Sequence, residues 1–477
     1  MIARVPGDVP NLIDGADAPP AAGDWLDKRR PADGEHLCRL ARSRVADVAV
    51  AVAAARRAQP GWAERTVVER GDLVREIALA LRGRREELAE VVAAETGKPE
   101  ALALGEADAA VEMGLFVAGE GRRFYGRTTT ASMAHRTVLS VRRPVGVAGL
   151  LMSFNTPLPN VAWKAFPSLL CGNASVVKPS EETPASAHLF GRIAHECGLP
   201  AGVLNVVQGI GEEAGAALVE HPDVDLVSFT GSAATGRWIN EAAGRRLARV
   251  CLELGGKNAL VVCDDADLAG ALRWTLASAF SNAGQRCAAA SRIIVFDAVY
   301  DAFRDRLVEA AQALAPEPVI SESSLERILA AVARAKEAGA TVLTGGERLD
   351  RPGWYLAPTV LEGATPDSEI SCSELFGPVT ILYPVRGFAA AVALVNESPY
   401  GLTAAIHTES LHRSMRFAEL AQAGVVVVNG GTHGSEPHMG FGGVKQSGTG
   451  WREAGVEALD VYSEWQYVNL VADPAKA

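Results

Sequence analysis

The sequence predicts an α/β protein with two domains built on parallel sheets. Three observations carry that expectation: short apolar runs bounded by Gly, Pro and Asn, helical stretches between them, and a second pass of the same alternation. In the first pass the runs fall at 145–152, 174–178, 203–207, 226–229 and 259–262, with a helical stretch at 185–197. The second follows Cys287, with candidate strands at 292–296, 360–361, 379–383, 403–407 and 425–429. Short strands that are apolar throughout must be buried on both faces, which is the condition of a strand in a βαβ unit. At 477 residues the chain also exceeds the size at which one core keeps growing, so two domains are expected.

Ahead of the strands, residues 45–94 are rich in Ala, Leu, Glu and Arg and read as a helical opening layer. Thr96-Gly97-Lys98-Pro99 supplies the Gly and Pro that stop it. Residues 316–318 and 430–443 read as loops, and no fixed-period repeat is present. Hydrophobic residues make up 48% and charged residues 22%, the composition of a soluble enzyme. A net charge of -11, with no basic run interleaved with aromatics, excludes nucleic acid as a partner. Seven cysteines without a C-x-x-C pair exclude a disulfide framework or a zinc site, and a reducing cytoplasm is the expected location. The first 20 residues hold no signal-peptide core, and no stretch is apolar enough to span a bilayer. The nearest, 45–55, runs into Arg56 and Arg57.

Chemistry concentrates in a few segments. Cys287, in Gly284-Gln285-Arg286-Cys287, is followed by Ala288 to Ala290, so small neighbours leave the sulfur approachable. A lone cysteine is more often a buried small hydrophobe. Glu253, in Leu252-Glu253-Leu254-Gly255-Gly256-Lys257, stands beside glycines that permit close backbone approach, although a lone glutamate is more often solvated. A thiolate nucleophile and a water-activating carboxylate are the two halves of covalent aldehyde oxidation. Asn155, in Ser153-Phe154-Asn155-Thr156-Pro157, follows a predicted strand and offers an amide to an oxyanion, with the Cys287 N–H as second donor. Asn in a Pro-bounded turn is its commoner use.

Lys178 and Glu181, in Lys178-Pro179-Ser180-Glu181, end another strand. A lysine can bond ribose hydroxyls, and a carboxylate accepts from a 2′-OH while repelling a 2′-phosphate, which favours NAD over NADP. Gly209-Ile210-Gly211 lacks the third glycine of the dinucleotide fingerprint. Thr230-Gly231-Ser232 leaves a strand and opens a helix, where N–H groups can face a pyrophosphate.

Together these segments resemble the NAD(P)-dependent aldehyde dehydrogenase superfamily, from about residue 11 to about residue 467 and in the family's order. The resemblance implies Cys287 as nucleophile, Glu253 as general base and Asn155 as oxyanion amide. It implies Lys178 and Glu181 at the adenosine ribose, Gly211, Gly231 and Ser232 at the pyrophosphate side, and Glu374 with Phe376 at the nicotinamide ribose. The implied fold is aldehyde-dehydrogenase-like: a Rossmann-type cofactor domain (1–121 and 141–252), an α/β catalytic domain (253–455), and a small β oligomerisation extension (122–140 and 456–477). Residues 137–141 and 461–470 would be edge strands pairing between subunits in a homodimer or homotetramer.

The implied reaction oxidises a small-molecule aldehyde to the acid through a thiohemiacetal and a thioester, with NAD as cofactor and NADP as the alternative, and no metal. Glu253 favours hydrolysis of the thioester over transfer to coenzyme A; a catalytically silent nucleotide-binding relative is the rival from another class. Trp163 is expected to wall the substrate tunnel, and the loop 430–441, with His433, His438 and Phe441, to form its mouth. A short aldehyde with a polar or acidic tail, contacted by Arg286, His433 or His438, is the expected substrate. The chain departs from the family's pattern in two places. The segment after Leu314 is shortened, and Ser153 and Thr156 stand where many members have proline and an aromatic.

Overall fold

A computed structural model describes residues 5–476. Its framework is a pair of seven-stranded sheets. In spatial order the first runs Arg249–Leu254, Leu226–Gly231, Val147–Leu151, Ala174–Lys178, Leu204–Val206, Asn11–Ile13 and Ala16–Ala18. Its first five strands are parallel, and the last two are added antiparallel. Strands Val147–Leu151 and Ala174–Lys178 are buried at every position, which is why they read as unbroken apolar runs. Chain order reverses between Val147–Leu151 and Leu226–Gly231, so a crevice opens beyond their carboxyl ends.

The second sheet runs Thr341–Thr344, Thr359–Glu362, Val379–Val385, Ala290–Phe296, Asn258–Val262, Thr403–His407 and Val425–Val428. Only Thr341–Thr344 pairs antiparallel. Each sheet has an apolar cluster on either face, so the core is four separate layers of helix-to-sheet packing.

The opening helical layer comprises Val45–Glu64, Val67–Gly83, Arg85–Thr96 and Glu100–Glu120. Gly97 ends the third in a left-handed conformation (φ 75°). A Cβ there would meet the Pro318 ring at 2.5 Å, so glycine is required on both counts. The sequence reading missed the strands ahead of this layer, among them Trp25–Arg29 and His36–Ala41. They mix polar and apolar residues without a clean period of two and gain their order from pairing.

A third, antiparallel sheet orders Ser463–Val471, Arg136–Pro144 and Arg127–Thr129. Here the expectation of two edge strands needs correction: Arg136–Pro144 is the central strand, bonded on both sides, and Ser463–Val471 is the edge. Tyr467, Leu470 and Val471 are exposed along it.

Candidate active site

A cavity of about 1370 Å³ follows the carboxyl ends of the first sheet and reaches the second half of the chain. Its wall includes all the residues singled out from the sequence except His438: Cys287, Glu253, Asn155, Lys178, Glu181, Gly211, Gly231, Ser232, Glu374, Phe376, Trp163, Arg286, His433 and Phe441. His438 is largely exposed and sits 3.6 Å from Glu436, away from that wall. The loop that carries both histidines turns only His433 inward.

Cys287 follows a tight turn after helix Leu268–Phe280, and its carbonyl accepts from Asn258 Nδ2 at 2.7 Å. Gly256 lets that carbonyl approach, since a Cβ there would lie 2.8 Å from the Cys287 oxygen. Burial pushes the Cys287 thiol up to about 12; the carboxylates of Glu374 and Glu253 add to this, and the Ala288 N–H and Arg286 oppose it.

Asn155 lies in the turn between strand Val147–Leu151 and helix Pro157–Cys171. Its carbonyl accepts from Lys98 Nζ at 2.7 Å and from Asn282 Nδ2 at 3.1 Å. Its own Nδ2 donates to no described residue, which leaves the amide available to a ligand oxygen.

Glu253 is 4% exposed, at the end of strand Arg249–Leu254, and no side chain among the described residues bonds its carboxylate. Burial, then the nearby Glu453 carboxylate, pushes its carboxyl well above the usual range, while Lys164, Arg452 and the Gly443 N–H pull the other way. Behind it Lys164 and Glu453, 0% and 3% exposed at their side chains, form an ion pair joined through Ser228 Oγ, which lies 2.9 Å from each. Neither member of this pair was foreseen. Lys164 did leave a signal, a lone cation inside the apolar helix Pro157–Cys171, whereas nothing around Glu453 announced burial.

Lys178 is buried, with its ammonium 3.2 Å from Glu181 at the cavity edge. Ser232 caps helix Ala233–Gly244, accepting from Thr235 N at 3.2 Å, so the N-terminal turn of that helix faces the cavity. Glu374 accepts from Gly256 N at 3.2 Å. Burial raises its carboxyl to about 7, against the Gly256 N–H and the charges of Lys257 and Arg327. A cleft of this volume, with hydroxyl acceptors at one end, helix N–H groups in the middle and a carboxylate beside the thiol, fits an extended dinucleotide together with a small substrate.

On the opposite side Trp163 and Phe441 meet edge to face, centroids 5.5 Å apart, and form an apolar wall. Arg286 donates to Ser281 Oγ at 3.3 Å and forms no ion pair with a described residue. Burial, then Arg286, pushes His433 down to about 4, so the ring is neutral near pH 7 and offers a hydrogen bond without charge. No group of three or more His, Cys, Asp and Glu side chains that could hold a metal occurs among the described residues, and no helix there is long and apolar enough to cross a membrane.

Comparison with known proteins agrees with this geometry. Residues 19–468 match the aldehyde dehydrogenase family. The chain is 38% identical to 2-hydroxymuconic semialdehyde dehydrogenase of Pseudomonas putida, over 96% of this chain and 98% of that one. It is 34% identical to the NADP(+) succinate-semialdehyde dehydrogenase of Escherichia coli strain K12, over 94% of each. The crystal structure of betaine aldehyde dehydrogenase from Staphylococcus aureus in complex with NAD+ superposes with a TM-score of 0.96 at 31% identity, covering 99% of this chain and 96% of that one. The chain therefore belongs to the aldehyde dehydrogenase family and is an oxidoreductase that acts on aldehydes.

Proposed function

We propose that the chain oxidises a short aldehyde with a polar or acidic tail to the carboxylic acid, using Cys287 as nucleophile. The observation that supports this most directly is that Cys287, Asn155 and Glu253 line one cavity, with the Asn155 Nδ2 donating to no described residue and the Glu253 carboxylate close enough to raise the thiol. When bound, NAD+ supplies the two-electron acceptor; Lys178, Glu181, Gly211, Gly231, Ser232, Glu374 and Phe376 hold it. The carboxylate of Glu181 favours NAD over NADP by repelling a 2′-phosphate.

Cys287 as thiolate attacks the aldehyde carbon, and Asn155 Nδ2 with the Cys287 N–H stabilises the oxyanion. Oxidation of the thiohemiacetal leaves a thioester on the sulfur. Glu253, once ionised, takes a proton from water, which adds to the thioester and releases the acid and the thiol. A buried carboxyl that no side chain bonds supports hydrolysis rather than transfer to coenzyme A. Replacing Cys287 by Ala is expected to abolish formation of reduced nicotinamide while leaving dinucleotide binding intact; a C287A enzyme that still oxidises aldehydes overturns the mechanism.

Arg286 supports the acidic tail, being a cation in the cavity without an ion-pair partner. Acidic semialdehydes should exceed alkyl aldehydes of equal length in kcat/KM, and Arg286→Gln should erase about 10-fold or more of that preference. A long alkyl aldehyde outperforming every acidic one refutes it.

Within this reading, residues 1–121 and 141–252 form the cofactor domain, 253–455 the catalytic domain, and 122–140 with 456–477 the oligomerisation extension, of which 1–4 and 477 lie outside the described residues. The exposed edge strand Ser463–Val471 supports a homodimer or homotetramer. Seven free cysteines support a reducing, cytoplasmic setting.

A further inference from the structure

The turn that presents Cys287 is built from three consecutive left-handed residues: Asn282 (φ 56°), Ala283 (φ 52°) and Gly284 (φ 65°). Glycine takes this conformation freely, and at Gly284 it is also obligatory, since a Cβ would lie 2.3 Å from the Gly377 oxygen. Asparagine tolerates it. Alanine does not, because its Cβ crowds the following carbonyl. Ala283 therefore needs an external restraint.

That restraint comes from the shortened segment after Leu314. Ala283 is 2% exposed, and its N–H donates to Glu317 Oε2 at 3.1 Å, with no second acceptor among the described residues. A buried N–H without an acceptor is costly, so this contact fixes the middle of the turn, and the neighbouring Asn282 N–H also lies against the Glu317 carboxylate. Neighbouring residues of the segment hold the other end of the turn: Gln285 Nε2 donates to Pro318 O at 3.4 Å, and Ile320 N donates to Gln285 Oε1 at 2.8 Å. A cavity of about 200 Å³, lined by Ser281, Ala283, Leu314, Pro316, Glu317 and Pro358 among others, borders the contact. On that side the hydrogen bond substitutes for packing. The turn also reaches the oxyanion amide, because Asn282 Nδ2 donates to Asn155 O at 3.1 Å.

We infer that Glu317 is a positioning residue: by accepting the Ala283 N–H it holds the left-handed turn that sets the Cys287 sulfur and the Asn155 amide in register. The inference rests on the reading of Cys287 as nucleophile. Its test reports on the two separately, because alkylation of Cys287 in Glu317 variants probes the turn whatever the enzyme catalyses, whereas C287A activity probes the nucleophile.

The full-length enzyme is treated with iodoacetamide, modification of the Cys287 peptide is followed by mass spectrometry, and kcat, KM for NAD+ and the unfolding temperature are recorded on the same preparations. Glu317→Ala is expected to slow both alkylation and kcat about 10-fold or more per folded molecule, in line with the cost of small misplacements of reacting groups, with KM for NAD+ unchanged. Glu317→Gln keeps an acceptor oxygen at the same reach and should stay within about 3-fold of wild type by the same criterion. In the Glu317→Ala background, Ala283→Gly should recover much of the loss, because glycine needs no restraint. Wild-type alkylation in Glu317→Ala, or a Gln variant as impaired as the Ala variant, overturns the inference. Should Glu317→Ala fail to fold, Glu317→Asp replaces it: the charge is kept, the reach is shorter by a methylene, the same slowing is expected, and a wild-type rate overturns the inference.

Discussion

Glu253 and Glu374 line the same cavity, and their surroundings differ in a way that separates them. Glu374 is anchored: Gly256 N–H donates to it, Lys257 and Arg327 lie within its field, and burial carries its carboxyl only to about 7. Glu253 is held by no side chain: burial first and the Glu453 carboxylate second raise its carboxyl well above the ordinary range, and the charges of Lys164 and Arg452 and the Gly443 N–H only partly offset them. A fixed carboxylate suits holding a ligand's hydroxyls. One that no side chain bonds, and that burial holds near its neutral form, is ready to exchange a proton with water.

Three outcomes test this contrast. The largest is for Glu253→Gln, which should lower steady-state kcat by about 10² to 10³, the range of a lost general base, while a pre-steady-state burst of reduced nicotinamide survives because acylation is spared. Loss of the burst as well would place Glu253 before the thioester. For Glu374→Gln the effect should be smaller, about 10-fold in KM for NAD+ with the burst intact, as for one charge-assisted hydrogen bond. The smallest outcome concerns pH. Above pH 7 Glu374 is anionic and repels a thiolate, one of the causes that raise Cys287 to about 12. Removing that charge lowers the thiol's pKa, so the pH profile of Cys287 alkylation should move to lower pH in Glu374→Gln. A shift to higher pH contradicts the electrostatic picture.

Much of this arrangement was legible before any coordinates. Parallel strands buried on both faces, such as Val147–Leu151 and Asn258–Val262, write themselves as continuous apolar runs, and chemistry-bearing loops stand out where those runs stop. The short strands Asn11–Ile13 and Ala16–Ala18 were not legible, because strands of three residues carry no period and exist only through their partners. Lys164, Glu453 and Glu317 escaped for another reason. Charged residues are usually solvated, and only the folded chain reveals which have been drawn inside and against what. His438 misled in the opposite direction, since a loop's sequence does not say which of its side chains turn inward.

The rear of the site is completed by the last part of the chain. Glu453 backs Glu253, Ser447 O accepts from Leu254 N at 2.9 Å, and Gly448 bridges to Glu253 itself. During synthesis, then, the proposed nucleophile leaves the ribosome well before the residues that finish its cavity. On the proposed mechanism, a nascent polypeptide holds the thiol without the carboxyl environment that would release its product until residues 447–453 pack against strand Arg249–Leu254.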